Sequence, residues 1–199
     1  MKASRLRILL ALILFFNAAG AAEFPPGAWN GQPWEAEKLA AGVAAGQADA
    51  LAEWAYCNAE VLHGLTYDYC LAMQRALMAE EAGSVFGQAL AGALVVRGWS
   101  DIQAKRAGLA KVAAAAEAGH PWAAWFLAET KRAGVVVEQD VADFEAVMKR
   151  CAEAGVRGVN ESWYFAHLRG SLGVVDLEAS RKFHRRAVME DALVFCGVR

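Results

Sequence analysis

Apolar residues recur three and four positions apart along much of the chain, which is the spacing of one face of a helix. A clear example runs through Phe144, Val147, Met148, Cys151 and Ala152. Glycine follows soon after, and glycine often ends helices because it readily adopts the left-handed conformation found just beyond the last turn. The pattern therefore predicts amphipathic helices separated by short turns.

The glycines that end these segments are periodic. The tripeptide Glu-Ala-Gly occurs three times at intervals of 36 residues, and a further glycine follows each triplet after 15 residues. The two series are Gly83, Gly119 and Gly155, then Gly98, Gly134 and Gly170. Two turns per period describe a shorter and a longer helix, and such pairs bury their apolar faces by stacking. We predict an all-α protein, an α-solenoid of antiparallel helix pairs with a 36-residue period.

Both ends of the chain depart from the period. Residues 1–22 combine basic residues, an apolar run and small residues, which predicts a secretory signal peptide; a buried N-terminal helix is the alternative. Residues 23–33 are rich in Pro and Gly and predict an extended leader. Asp191 stands where the next glycine is due, so the last helix should continue as a cap. Within a single repeat domain at 34–199, we predict a cap helix at 34–46, repeats at 47–83, 84–119, 120–155 and 156–191, and a C-terminal cap at 188–199.

Removal of the signal peptide makes the chain more acidic. The formal net charge falls from −2 to about −5, because three of the 20 basic residues are lost and none of the 22 acidic ones. An acidic chain without a basic run is poorly suited to nucleic acid or an anionic membrane. We predict that the partner is another protein, with no membrane insertion of the mature chain.

Export favours disulfide bonds among the four cysteines, because secretory compartments are oxidising. Cys57 and Cys70 lie at nearly equal distances on either side of Gly64. Residues equidistant from the turn of a helical hairpin face each other, so these two are placed to form a bridge. Cys151 and Cys196 then pair by elimination, which would join the third repeat to the C-terminal segment.

Other roles for the cysteines are also open. Ala115 and Ala79 precede Cys151 by one and two periods, so Cys151 alternatively fills a position where helices pack closely. Zinc binding is disfavoured because the cysteine spacing matches no zinc motif and the four histidines form no i, i+4 pair. We predict no metal and no cofactor.

The sequence lacks the common catalytic motifs. It contains no Gly-x-Ser-x-Gly, no phosphate-binding glycine loop, no His-Glu-x-x-His and no Ser-x-x-Lys. Its paired carboxylates lie at predicted helix ends, where solvent-exposed surface is the ordinary role. We therefore predict that the protein is not an enzyme and has no catalytic residues.

The third repeat carries a more specific pattern. Gly119, Ala123, Leu127, Ala128 and Gly134 are followed by a helix that ends in Ala-Glu-Ala-Gly. Together with the 36-residue period, this pattern resembles the Sel-one-like repeat (SLR) family, relatives of the tetratricopeptide repeats. The resemblance covers residues 47–191 and is weakest in the first repeat. It implies a right-handed superhelix whose first helices line a concave face that binds partner proteins.

On this resemblance, the binding residues lie on the first helix of each repeat. They are Tyr56, with Glu60, on the first repeat, Phe86 and Arg97 on the second, Trp122, Trp125, Glu129 and Arg132 on the third, and Glu161, Phe165 and Arg169 on the fourth. Large aromatic side chains beside arginines are common anchors of protein interfaces. The alternative is that the aromatic residues, among them Trp122, Trp125, Trp163 and Tyr164, fill the core between repeats.

The resemblance also implies a biological role, since some family members are immunity proteins of bacterial secretion systems. With the export signal, the small size and the acidic charge, it favours a periplasmic protein-binding repeat protein that neutralises a secreted antibacterial effector, plausibly a type VI lipase. The alternative is a scaffold or regulator of an envelope protein or assembly pathway. A toxin gene beside this one would favour immunity, and an envelope-biogenesis operon would favour the scaffold.

Overall fold

The structure, a computed structural model, describes residues 36–60, 68–156 and 158–196. Within these ranges the chain forms nine α-helices and no strand, so the all-α prediction is confirmed for them. The helices are α1 (Ala36–Ala44), α2 (Ala48–Glu60), α3 (Tyr69–Glu81), α4 (Val85–Arg97), α5 (Ile102–Glu117), α6 (Pro121–Ala133), α7 (Phe144–Glu153), α8 (Val159–Leu168) and α9 (Leu177–Cys196). The predicted signal peptide and leader lie outside the described residues.

The helices form a stack of antiparallel pairs. Each helix packs against the next along the chain, and the contacts are most extensive in the pairs α2 with α3, α4 with α5, and α8 with α9. Helix α4 also packs beside α2 and beside α6. We call α2, α4, α6 and α8 the first helices and α3, α5, α7 and α9 the second helices. Helix α9 continues past Asp191, where no glycine ends it.

The Glu-Ala-Gly triplets end helices through one repeated hydrogen-bond pattern. Gly83, Gly119 and Gly155 have positive φ angles of 90°, 87° and 72°. After the first of them, the amide of Ser84 donates to the carbonyl of Ala79 at 2.9 Å, and the same bond recurs after the other two glycines. This is the Schellman motif, in which a left-handed residue lets the chain turn back on the last carbonyls.

The second glycine series has two physical causes. Gly134 and Gly170 have φ angles of 64°, in the left-handed region, whereas Gly98 has φ −77° and an extended backbone. At Gly98 the constraint is space, because an added Cβ would lie 2.6 Å from the hydroxyl oxygen of Tyr69. That hydroxyl donates to the carbonyl of Leu94 at 2.9 Å. The equal spacing of these glycines therefore does not reflect a single backbone conformation.

Helices α4 and α5 meet at two glycines. A Cβ added at Gly92 would lie 2.3 Å from the carbonyl oxygen of Gly108, and one added at Gly108 would lie 2.7 Å from that of Gly92. Real Cβ atoms do not approach backbone oxygen so closely, so only glycine allows this contact. The backbones of the two helices touch directly at this point.

A cluster of aromatic rings forms the centre of the core between α2, α4 and α6. Trp122 is completely buried, with ring centroids 6.0 Å from Tyr56, 5.4 Å from Phe86 and 5.4 Å from Phe126. Phe86 is only 2% exposed. The prediction that Phe86 and Trp122 line the binding face is therefore corrected. Both rings point between the first helices, where they bury more apolar area than they could in the groove.

A second aromatic cluster joins α8 to α9. The rings of Trp163 and Phe183 are 4.4 Å apart, and His167 stacks on Phe183 at 5.5 Å. Tyr164 approaches His184 at 4.9 Å. Trp163 and Tyr164 thus contact the second helix of their own repeat, and these rings hold the last hairpin together.

The predicted disulfide between Cys57 and Cys70 is not formed in the structure. Cys57 is buried on α2, with its Sγ 3.8 Å from Glu53 Oε1, whereas Cys70 is an exposed thiol in the first turn of α3. The two residues therefore lie in different environments and do not bridge the hairpin. Cys151 is a buried thiol, and the side chain of Cys196 lies outside the described residues.

Cys151 occupies a packing position. It is completely buried, as are Ala115 and Ala79 at the equivalent positions of the preceding repeats. Its thiol donates a hydrogen bond to the carbonyl of Pro121 at 3.4 Å. Burial raises the pKa of Cys151 to about 12, so the thiol stays protonated and unreactive at neutral pH.

His120 caps α6 as a neutral imidazole. Its Nδ1 accepts from the amide of Ala123 at 3.3 Å, and its ring stacks on Phe86 with centroids 5.1 Å apart. Desolvation by burial lowers the pKa of His120 to about 4, and the nearby Asp49 opposes part of that change. Protonation would remove the acceptor of the cap and place a charge inside the core.

We expect His120 to make the protein less stable in acid. In the unfolded chain the imidazole takes up a proton near pH 6.5, whereas in the fold it does so only near pH 4. The contribution of neutral His120 to the free energy of unfolding is therefore complete above pH 6.5 and is lost as the pH falls towards 4. The loss should be about 3 kcal/mol at most, at 1.36 kcal/mol per pKa unit.

The measurement compares urea denaturation of the wild type and His120→Asn at pH 7.5 and pH 4.5. Asparagine keeps a capping acceptor but does not titrate, so the variant should lose less stability on acidification. Equal acid sensitivity in the wild type and His120→Asn would contradict the prediction.

Candidate protein-binding groove

The first helices line a groove of about 340 Å³. Its lining residues are Tyr56, Glu60, Arg97, Trp125, Glu129, Arg132, Gly158, Glu161, Ser162, Phe165, Arg169 and Ala187. Nine of the eleven residues predicted for the binding face come together here. Phe86 and Trp122 do not, because they lie in the core. The groove thus draws on the four first helices and, through Ala187, on α9.

Aromatic side chains form the apolar part of the groove. Trp125 is half-buried, and its Nε1 donates to Ser162 Oγ at 3.0 Å, which connects α6 to α8. The indole packs against Gly158, where an added Cβ would lie 3.4 Å from the ring, an ordinary van der Waals contact. Phe165 is half-buried on α8, and Tyr56 lies at the base with 5% of its surface exposed. The indole of Trp125 is therefore held in one orientation.

Three arginines supply the positive charge of the groove: Arg97 on α4, Arg132 on α6 and Arg169 directly after the last residue of α8. Arg97 Nη1 lies 2.6 Å from Glu60 Oε1, and Arg132 Nη2 lies 2.7 Å from Glu129 Oε2. Arg169 has no carboxylate within ion-pair distance among the described residues, and its guanidinium lies 4.9 Å from the ring centroid of Phe165. Arg169 is exposed and is thus available to a ligand.

Outside the groove, an apolar cavity of about 480 Å³ lies between α5, α6 and α7. Small and apolar side chains such as Ala113, Ala124 and Leu127 line it, with charged residues around them. The described residues contain no group of His, Cys, Asp and Glu placed to hold a metal ion. In the same part of the chain, no helix is long and apolar enough to cross a bilayer.

The fold is known from solved structures. The chain is similar to a Sel1 repeat protein from Oxalobacter formigenes, with a TM-score of 0.52 and 20% identity over 77% of this chain and 62% of that protein. The chain has the SLR fold. A protective antigen of uropathogenic Escherichia coli that displays an SLR fold is also similar, with a TM-score of 0.49 and 23% identity over 77% of this chain and 33% of that protein. No family model and no curated protein matches the sequence.

The SLR fold explains which groove residues could be found from the sequence. The solenoid directs one face of each first helix to the groove. Arg97 and Arg169 are two 36-residue periods apart and so occupy equivalent positions, whereas Arg132 lies one residue before the position between them. The repeat does not reveal Ser162, because a lone serine in a helix carries no signal. Gly158 does leave a signal, since it is a second glycine three residues after Gly155.

Proposed function

We propose that the chain is a protein-binding repeat protein that holds a partner in the groove between its first helices. The observation that carries the proposal is Arg169, an exposed guanidinium beside Phe165 without a carboxylate partner among the described residues. The other two groove arginines already pair with Glu60 and Glu129. Arginine beside aromatic surface is typical of protein interfaces.

This geometry suggests the chemistry of the bound segment. A carboxylate of the partner would bind Arg169, ideally through both guanidinium nitrogens. An apolar or aromatic side chain would pack on Trp125 and Phe165, whose rings are only half-buried in the free protein. Because the Ser162 hydrogen bond fixes the indole, binding costs little side-chain entropy.

We further propose that the protein is exported to the periplasm and acts there as an immunity protein, which neutralises a secreted antibacterial effector such as a type VI lipase. The N-terminal export features, the acidic charge of the mature chain and the groove support this role. The test is co-purification with the product of the neighbouring gene and protection of cells against it. Binding to a resident envelope protein instead would favour the scaffold or regulator.

Arg169→Ala is expected to weaken partner binding about 30-fold, as for an interface hot spot of about 2 kcal/mol. The fold should be unaffected because the side chain is exposed. Isothermal titration of the co-purified partner measures the change. Arg185→Ala, at an exposed position of α9 outside the groove, is the matched control. Equal affinities of the two variants would exclude Arg169 as an anchor of the partner.

A further inference from the structure

Three turns that connect a first helix to a second helix each expose a large apolar side chain. Trp99, between α4 and α5, is fully exposed. Val135, between α6 and α7, is 67% exposed, and Val174, between α8 and α9, is 75% exposed. We call these three residues the turn edge. Single exposed apolar residues are ordinary, but here the exposure recurs at corresponding turns.

These turns lie on one side of the stack. Antiparallel pairs that stack in register place all their connecting turns at the same edge. Helices α4 and α6 pack side by side, and Arg132 Nη1, near the end of α6, donates to Ser171 Oγ at 3.2 Å in the turn between α8 and α9. At the opposite edge, the residues that follow the helix-ending glycines are buried: Ser84, His120 and Val156.

Acidic residues accompany the exposed apolar ones. The turns at 98–101, 134–143 and 170–176 contain five acidic residues and no basic one. Asp101 and Asp176 are exposed and cap the following helices, with Oδ1 accepting from the amides of Ala104 and Ala179 at 2.9 Å. This negative charge would repel an anionic lipid surface and attract the lysine and arginine side chains of a protein partner.

The turn edge is continuous with the groove. A cleft that shares Arg97, Trp125, Glu129 and Ser162 with the groove extends to Val135. A partner seated in the groove therefore has a direct path to the turn edge. Burial of an indole supplies much of the energy of many interfaces, and Trp99 has no other side chain covering it.

We propose that the turn edge is a second contact surface for the protein that occupies the groove, and that it takes an apolar patch of this partner bordered by Lys or Arg. The inference rests on the proposed function, because it concerns the same partner. The partner would thus contact both the groove of the first helices and the turn edge. The exposed Trp99 would be part of this second contact.

Photo-crosslinking in cells tests the inference. The full chain carries benzoylphenylalanine in place of Trp99, Phe165 or Leu77, and the captured proteins are identified by mass spectrometry. Leu77 is the control, an exposed apolar residue on α3 away from both surfaces. We expect positions 99 and 165 to capture the same protein and position 77 to capture none. The peptide linked at position 99 should contain apolar residues beside Lys or Arg.

Binding of the captured protein then tests the chemistry. Trp99→Ser should weaken it about tenfold or more, and Leu77→Ser should not change it. Asp101→Ser keeps a helix cap but removes the charge, so it should weaken binding and reduce the dependence of binding on salt.

Unchanged affinity of Trp99→Ser, or capture of lipid or a different protein at position 99, would contradict the turn-edge proposal alone. No capture at position 165 counts against the groove proposal itself.

Discussion

Replacing Trp122 with alanine is expected to lower the free energy of unfolding by about 3–5 kcal/mol, the usual cost of removing a large aromatic side chain from a core. Trp122 is completely buried and contacts the rings of Tyr56, Phe86, Trp125 and Phe126 from α2, α4 and α6. These four rings would surround the cavity and could close it only by moving three helices. Denaturation in urea at pH 7.5 measures the loss.

Two variants make the Trp122 prediction specific. Trp99→Ala removes the same side chain from a fully exposed position and should change stability by no more than about 0.5 kcal/mol. Trp122→Phe should cost far less than Trp122→Ala, because the buried Nε1 of Trp122 makes no hydrogen bond among the described residues. Similar losses from Trp122→Ala and Trp99→Ala would show that the aromatic cluster is not the core.

Replacing Gly92 with alanine is expected to destabilise the protein by about 2 kcal/mol or more, although alanine favours an isolated helix by about 1 kcal/mol. The added Cβ would lie 2.3 Å from the carbonyl oxygen of Gly108, which belongs to the backbone and cannot rotate away. Helices α4 and α5 must separate, which loosens the most extensive helix contact of the stack. Thermal and urea denaturation measure the change.

Ala107→Gly is the control for Gly92→Ala. It makes the reverse change at an exposed position of α5, so its effect of about 1 kcal/mol reports helix propensity without packing. Gly108→Ala should behave like Gly92→Ala, since the two glycines face each other. A higher melting temperature for Gly92→Ala would mean that α4 and α5 do not touch at this point.

Much of the helix pattern could be predicted because glycine acts locally. Gly83, Gly119 and Gly155 end second helices through bonds within a few residues, so their spacing reports helix ends directly. The SLR resemblance depended on a few small and apolar residues of the third repeat, and the all-helical SLR fold that it implied is confirmed. Gly98 shows where this local signal fails. Its backbone is extended and not left-handed, and the nearby hydroxyl of Tyr69, not the local turn, requires a glycine there.

The groove could be predicted only in part, because two aromatic residues close together on one helix can face different ways. Trp122 and Trp125 both lie on α6, yet one is completely buried and the other lines the groove. They are only about 60° apart around the helix axis, so helical spacing alone does not say which of them faces the core. That choice depends on Tyr56 and Phe86, which come from other helices.

By itself, the sequence determined the helical class, the helix-ending glycines and the equivalent positions of Arg97 and Arg169, because these follow from local turns and a repeated period. Only the tertiary structure decided which aromatic rings are buried, which groove arginine has no carboxylate partner among the described residues, and that Gly92 meets Gly108. It also decided that Cys57 and Cys70 do not pair. Each of these depends on how helices distant in sequence pack, and a side chain's environment is set by the neighbours that packing brings to it.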